Sequence, residues 1–190
     1  MSGNHEVIES QSPYRGSFFS VQVDRIRLPN GREATREIVR HPGAAAVVPL
    51  KDDAVLLVRQ NRHAVGMDLL EIPAGKLDVP GEDPVDCARR ELREETGYEA
   101  GVLELLGVFY SSPGFTDERY HLYLATGLEQ VGPAPEHDGG EPISAEWLRL
   151  DAALNAVTTG EIVDAKTALG LALTVLREQP GSSGALRGAS

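Results

Sequence analysis

Gly75 to Tyr98 reads GKLDVPGEDPVDCARRELREETGY, and the second half of that stretch decides what surrounds it. Asp83 suits an N-cap, Pro84 the first helical position, Asp86 falls three residues after the cap, and Gly97 is a natural C-terminal stop. These signals predict a helix from about Pro84 to Thr96. On it Val85, Ala88 and Leu92 form one stripe that faces a core, while Glu91 and Glu95 are i,i+4 neighbours with Glu94 beside them. Like charges at that spacing repel by a few tenths of a kcal/mol, and the negative end of the helix dipole disfavours each carboxylate by roughly 0.3–1 kcal/mol. Arg90 reaches Glu94 at i,i+4, but one guanidinium does not neutralise three carboxylates, and Arg93 points elsewhere. Two readings remain open on periodicity alone: a solvated, charge-laced helix face, or a site for a divalent cation. Oxygen-only ligands favour Mg²⁺ or Mn²⁺ over zinc.

The segment resembles the Nudix box: a glycine, five residues, a glutamate, seven residues, then R-E-U-x-E-E-x-G-U with U aliphatic. Here Glu82 is followed by seven residues and then by Arg90, Glu91, Leu92, Arg93, Glu94, Glu95, Thr96, Gly97 and Tyr98. Two departures stand out. Six residues separate Gly75 from Glu82, and the last U is Tyr98; the insertion lies in the loop and leaves the helix register intact. Upstream LVRQNRHAVGMDLLEIPAG and downstream SSPGFTDERYHLYLATGL, followed by an acidic loop ending in Glu141, are similar to the ADP-ribose pyrophosphatase branch of the Nudix hydrolases. The similarity runs from about Ser12 to about Gln179.

That resemblance implies Mg²⁺-dependent attack of water on the diphosphate of ADP-ribose, giving AMP and ribose 5-phosphate, with Mn²⁺ as a substitute ion. It implies Glu91 and Glu95 as the main metal ligands, Glu94 as a further contributor, and the Ala74 carbonyl as a ligand from the loop. Glu82 is expected to pair with Arg90, a structural role shared with Gly75 and Gly97. The general base must come from elsewhere. EHDGGEPIS supplies Glu136, Asp138 and Glu141; Glu141 best matches the family position, with Asp138 as the substitute. Arg62 is the expected diphosphate contact, because its planar fork suits phosphate, and Gln60 assists. Ser112, Gly114 and Glu118 are candidates for substrate backbone and ribose contacts, Arg90 for a further substrate contact, and Phe18, Arg36 and Glu37 for an adenine pocket built across a dimer. Each has a bland alternative: Phe18 as core, Arg36 and Glu37 as exposed strand residues, SPGFTDE as an ordinary turn. Related pyrophosphatases acting on ADP-glucose, GDP-mannose or NADH remain as alternatives. So does a non-catalytic ligand-binding module, although such proteins lose box glutamates that this chain keeps.

Composition sets the outer limits. A chain of 190 residues with 41% hydrophobic content suits one domain with a real core. A net charge of −11, from 29 acids against 18 bases, argues against nucleic acid or an anionic membrane as the main partner. No apolar stretch approaches the ~20 residues of a membrane span, and MSGNHEVIESQ is not a signal peptide, so a cytoplasmic protein is expected. Cys87 is the single cysteine and is read as a packing residue. His5, His41, His63, His121 and His137 lack metal-ligand spacing.

Along the chain, residues before about Ser12 and after about Pro180 read as flexible ends. SFFSVQVDRIRL and EATREIVRH flank Pro29, Asn30 and Gly31 as a hairpin. GAAAVVPL, AVLLVRQNR and LLEIP precede the box as strands, and VLELLGVFY, RYHLYLATGL and ISAEWLRL follow it. DAALNAV is a short helix. VDAKTALGLALTVLREQ is a longer one with Ala165, Ala168, Leu169, Ala172 and Leu176 on one face. The irregular alternation points to an α/β fold with a mixed sheet between helices, in agreement with the Nudix α/β/α sandwich. The expected division is a tail and dimerisation hairpin over 1–42, the hydrolase domain over 43–180, and a tail over 181–190. In the family branch the hairpin strands are exchanged between subunits, which implies a homodimer.

Overall fold

The computed structural model describes residues 5–133, 137–138 and 141–178, and the helix read from the box is present with its expected ends. Helix α1 spans Pro84–Thr96. Asp83 holds the N-cap position with extended backbone, but its side chain makes no cap bond; its carbonyl accepts the N–H groups of Asp86 and Cys87 at 2.9 and 3.0 Å. Gly97 ends the helix at φ 74, donating to the Arg93 carbonyl. Any side chain there meets a second obstacle, since a Cβ would lie 2.6 Å from the Gly132 carbonyl oxygen.

Three strands precede the main sheet: β1 (Glu6–Arg15), β2 (Ser20–Arg27) and β3 (Glu33–Arg40), antiparallel in the order β1-β2-β3. The predicted hairpin is β2–β3, closed through residues 28–32 with Gly31 at φ 81. Next come β4 (Ala44–Lys51), β5 (Ala54–Arg62), β6 (Met67–Glu71) and β7 (Ala74–Lys76) before α1. After it follow β8 (Tyr98–Tyr110), β9 (Arg119–Gln130), β10 (His137–Asp138) and β11 (Glu141–Arg149), then helices α2 (Leu150–Thr159) and α3 (Ala165–Glu178). The large sheet runs β10-β11-β5-β4-β9-β8, with β6 on β5 and β7 on β4. It is mixed, because β4 and β9 are parallel while the other pairs are antiparallel.

β4 shows why the sheet is covered on both faces. Ala45 and Val47 pack with Cys87, Ala88 and Leu92 under α1, whereas Ala46 and Val48 pack with Ala153, Ala156 and Leu171 under α2 and α3. A strand apolar at every position from Ala44 to Leu50 belongs in the middle of a three-layer α/β/α sandwich. Each fully buried Val or Leu on it contributes about 1.5–3 kcal/mol. β4 and β5 pair only at Leu50–Val55 and Lys51–Ala54, then diverge, and β6 and β7 fill the gap. The divergence leads the chain from the end of β5 to the box.

Two expectations need correction. Residues before Ser12 are not a flexible end from Glu6 onward: they form β1, held to β2 by its ladder and by Arg25–Glu9 and Arg27–Glu6 ion pairs. The strand has no apolar alternation to read because nearly all of it is exposed. α3, in turn, does not bury the predicted stripe. Ala165 and Leu176 are exposed, and the buried positions are Thr167, Gly170, Leu171 and Thr174. The Thr174 hydroxyl donates to the Gly170 carbonyl at 2.9 Å, so it is satisfied within the helix. Gly170 lets α3 approach β4, since a Cβ there would lie 2.7 Å from a Val48 methyl. The tail after 180 lies outside the described residues.

Candidate active site

The core stripe of α1 fixes which way its acids face. With Ala88 and Leu92 against β4, Glu91 and Glu95 are brought to the backbone at Ala74 and Gly75. Glu95 is 4% exposed, and its carboxylate accepts the Ala74 N–H at 3.1 Å. Glu91 lies over Gly75 so closely that a Cβ on residue 75 would sit 1.9 Å from its carboxyl carbon. The box glycine is therefore a cradle for the first box-helix glutamate, a packing reason for a residue that need not adopt a left-handed backbone.

Arg90 is the hub of the remaining acids. Its Nε and Nη2 donate to Glu82 at 2.8 and 3.0 Å, and Nη1 donates to Glu91 at 2.6 Å and to Glu94 at 3.0 Å. The expected Glu82–Arg90 pair is thus present and bidentate, and it ties the loop to the helix. The hydrogen bond from Arg90 holds the Glu82 carboxyl below its usual range, and the paired carboxylates push the Arg90 guanidinium up. Arg93 turns away to Glu99 at 3.2 Å. Burial, then the Glu91 charge, pushes the Cys87 thiol up to about 12, which removes it as a nucleophile at neutral pH.

The donor set suits a hard divalent cation, being carboxylate and carbonyl oxygen without thiolate or imidazole. Glu91 and Glu94 are engaged by Arg90, and among the described residues no three acidic, histidine or cysteine side chains converge into a ready cage. The cradle at Gly75 and the buried Glu95 beside Ala74 nevertheless place the expected ligands around one loop.

Arg62 stands at the end of β5. Its Nε and Nη2 donate to Glu71 at 2.7 and 2.8 Å, and Glu71 is 2% exposed. Burial disfavours the Glu71 charge, but the bonds from Arg62 and the charge of Lys166 outweigh it, and its carboxyl is held below the usual range. Gln60, on the same strand, is buried. β11 runs antiparallel to β5 with Ile143 opposite Gln60, so Glu141 begins β11 at the Arg62 end of β5. Glu136 lies outside the described residues, as do the side chains of Asp138 and Glu141. A depression lined by Asp52, Asp53 and Arg149 lies at the other end of β5 and contains none of the candidates.

Ser112, Gly114 and Glu118 sit in a turn latched to β3. Val39 donates to the Phe115 carbonyl at 2.8 Å, and at 2.9 Å the Thr116 hydroxyl donates back to the Val39 carbonyl and Asp117 accepts from Arg40 and from the His41 N–H. The space above Gly114 is open among the described residues. Phe18 is half-exposed, edge-on to His41, with the Lys76 ammonium 5.0 Å from its ring centre, which puts it beside the box loop within one chain. Arg36 and Glu37 remain exposed on β3, opposite Asp24 and Val23, and are not brought to the box within one chain. The sequence reading missed Glu71, Asp164 and Lys166. Glu71 was visible only as one letter of LEIPAG, and nothing local links it to α3.

Comparison with known proteins adds two family matches. The NUDIX domain profile matches residues 39–168, and the nucleoside diphosphate sugar hydrolase N-terminal domain matches residues 6–39. A methanol dehydrogenase activator of Bacillus methanolicus is 42% identical over 174 residues, covering 91% of this chain and 94% of that protein. An ADP-ribose pyrophosphatase of Mycobacterium tuberculosis is 41% identical over 160 residues, covering 84% of this chain and 77% of that protein. A solved structure of an ADP compounds hydrolase superposes with a TM-score of 0.79 at 22% identity, over 91% of this chain and 93% of that one, and speaks for the fold.

Proposed function

Since the chain belongs to the NUDIX family and is a Nudix hydrolase, we propose that it hydrolyses the diphosphate of ADP-ribose to AMP and ribose 5-phosphate, with Mg²⁺ as its cofactor. The observation that carries this reading is the box helix with all its glutamates, Glu91 cradled on Gly75 and Glu95 beside Ala74, in a chain 41% identical to an ADP-ribose pyrophosphatase. Glu91, Glu95 and the Ala74 carbonyl would hold the ion, with Glu94 as a further ligand. When bound, it supplies polarisation of phosphate oxygens and a more acidic water.

The chain's own residues carry the rest. Arg62 directs guanidinium N–H groups at the diphosphate, with Gln60 beside it on β5 and Arg90 as a further positive group at the box. Glu141 is the general base, or Asp138 in its place, because carboxylates engaged by a cation are poor proton acceptors. Ser112, Gly114 and Glu118 bind the ribose side of the substrate. Phe18 stacks on adenine. The β1–β3 sheet projects from the body, its backbone hydrogen bonds to the rest of the described residues being those of Val39. Such a sheet is suited to a second copy, and a homodimer would bring Arg36 and Glu37 of one chain to the pocket of the other. The cytoplasm is the proposed location, because nucleoside diphosphate sugars are intracellular metabolites.

Incubation with ADP-ribose and Mg²⁺, read by nucleotide chromatography, tests the substrate. AMP must appear. No AMP from ADP-ribose alongside fast cleavage of another nucleotide would replace it with a second reading, a pyrophosphatase for another nucleoside diphosphate sugar, which the match at residues 6–39 favours.

A further inference from the structure

Behind Arg62 lies a buried arrangement that no role above accounts for. The Glu71 carboxylate receives Nε of Arg62 on Oε1, and both Nη2 of Arg62 and Nζ of Lys166 on Oε2. Lys166 also pairs with Asp164 at 3.0 Å. Asp164 in turn accepts the Thr167 N–H and hydroxyl at 2.9 and 2.5 Å, which caps the first turn of α3. The Thr167 hydroxyl oxygen accepts the Ile72 N–H at 2.9 Å, so the residue after Glu71 is tied to the same turn.

The pattern of exposure gives the row a direction. Glu71 is 2% exposed, Lys166 13% and Arg62 39%, so the row runs from a buried end on α3 to an open end at Arg62. Two cations and two anions balance, which makes burial tolerable. A carboxylate held by Arg62 alone can rock about its last torsion. With Lys166 on Oε2 its plane is set, and the guanidinium, bonded through Nε and Nη2, shares that plane. Nη1 carries no hydrogen bond among the described residues and is left for a ligand. The Arg62 charge also feels Glu95 and Asp164, so the row lies within electrostatic reach of the box.

We propose that Lys166, acting with Asp164 through Glu71, is a positioning residue that sets the plane of the Arg62 guanidinium for the substrate diphosphate. This rests on Arg62 being the diphosphate contact. The physical reason is that misplacement of a reacting group by about 1 Å costs on the order of 10²-fold in rate, and an arginine on a strand end has several rotamers to lose.

The test is a double-mutant cycle on kcat/KM for ADP-ribose with Arg62→Ala and Lys166→Met, with Lys166→Arg as the conservative variant and AMP affinity as a second readout. Arg62→Ala is expected to cost about 10²-fold and Lys166→Met about tenfold. Lys166→Arg restores most of the loss, AMP affinity is unchanged, and in the Arg62→Ala background Lys166→Met adds less than about twofold. Equal losses from Lys166→Met in both backgrounds, or none in the native one, would overturn the proposal and leave the Arg62 reading intact. No loss in Arg62→Ala itself overturns that reading and the proposal with it. Should Lys166→Met fail to fold, Asp164→Asn takes its place, since asparagine keeps the helix cap and removes the ion pair.

Discussion

Gly75→Ala should separate stability from activity. A Cβ at residue 75 would lie 1.9 Å from the Glu91 carboxyl carbon, against an ordinary contact of about 3.5–4.0 Å, so the carboxylate must retreat by about 1.5–2 Å. The retreat is mechanically easy, because the obstacle is the far end of a flexible side chain rather than backbone. Glu91 gives up its bond to Arg90, while Arg90 keeps Glu82 and Glu94. The stability cost is about 1–2 kcal/mol, which for a chain of this size lowers Tm by about 2–8 °C. Activity fares differently: displacing a metal-ligand carboxylate by more than ~1 Å is expected to lower kcat by about 10²- to 10³-fold. Thermal unfolding followed by circular dichroism, AMP release from ADP-ribose, and Mn²⁺ affinity by electron paramagnetic resonance measure the three quantities. A kcat within about twofold of the native enzyme refutes the assignment of Glu91. Global unfolding refutes the claim that Glu91 is the part that yields.

Glu95→Gln should abolish most turnover and weaken metal affinity, whereas Glu141→Gln should lower kcat with little effect on metal affinity; equal metal loss in both would make Glu141 a ligand rather than the base. Cys87, with its thiol pushed up to about 12, should resist a disulfide reagent at neutral pH and react only at the rate of unfolding, and fast labelling of the native protein would contradict its burial. Acid should destabilise the fold through Glu71. Its folded pKa is held below the unfolded value of about 4.3, so its contribution is complete above that value and is lost as pH falls through the lower folded one. Urea unfolding across about pH 5 to pH 2 should therefore lose less stability in Glu71→Gln than in the native chain, and an identical slope in both would show that Glu71 is not held charged.

What was legible in the sequence was carried by short-range signals. The α1 ends follow from Asp83, Pro84 and Gly97, because caps and left-handed stops act within four residues. The buried run of β4 and the 28–32 hairpin are likewise local patterns. Those same signals placed Glu91, Glu94 and Glu95 on one helix, whereas the pairing of Glu82 with Arg90 was implied by the resemblance to the Nudix box. Strand β1 escaped because an exposed strand held by ladder bonds and cross-strand charges has no hydrophobic period. The buried face of α3 escaped because two threonines satisfy their hydroxyls within or beside the helix and turn inward.

The sequence by itself determined the box helix and the order of its acids, since these are specified by neighbours along the chain, and the class of chemistry followed from the resemblance of that stretch to the Nudix box. Only the tertiary structure decided that Gly75 exists to seat Glu91, and that Lys166, 95 positions along the chain from Glu71, joins Arg62 on one oxygen of its carboxylate. Those contacts arise where α1 and α3 close on opposite faces of β4, a matter of packing layers that no local pattern encodes.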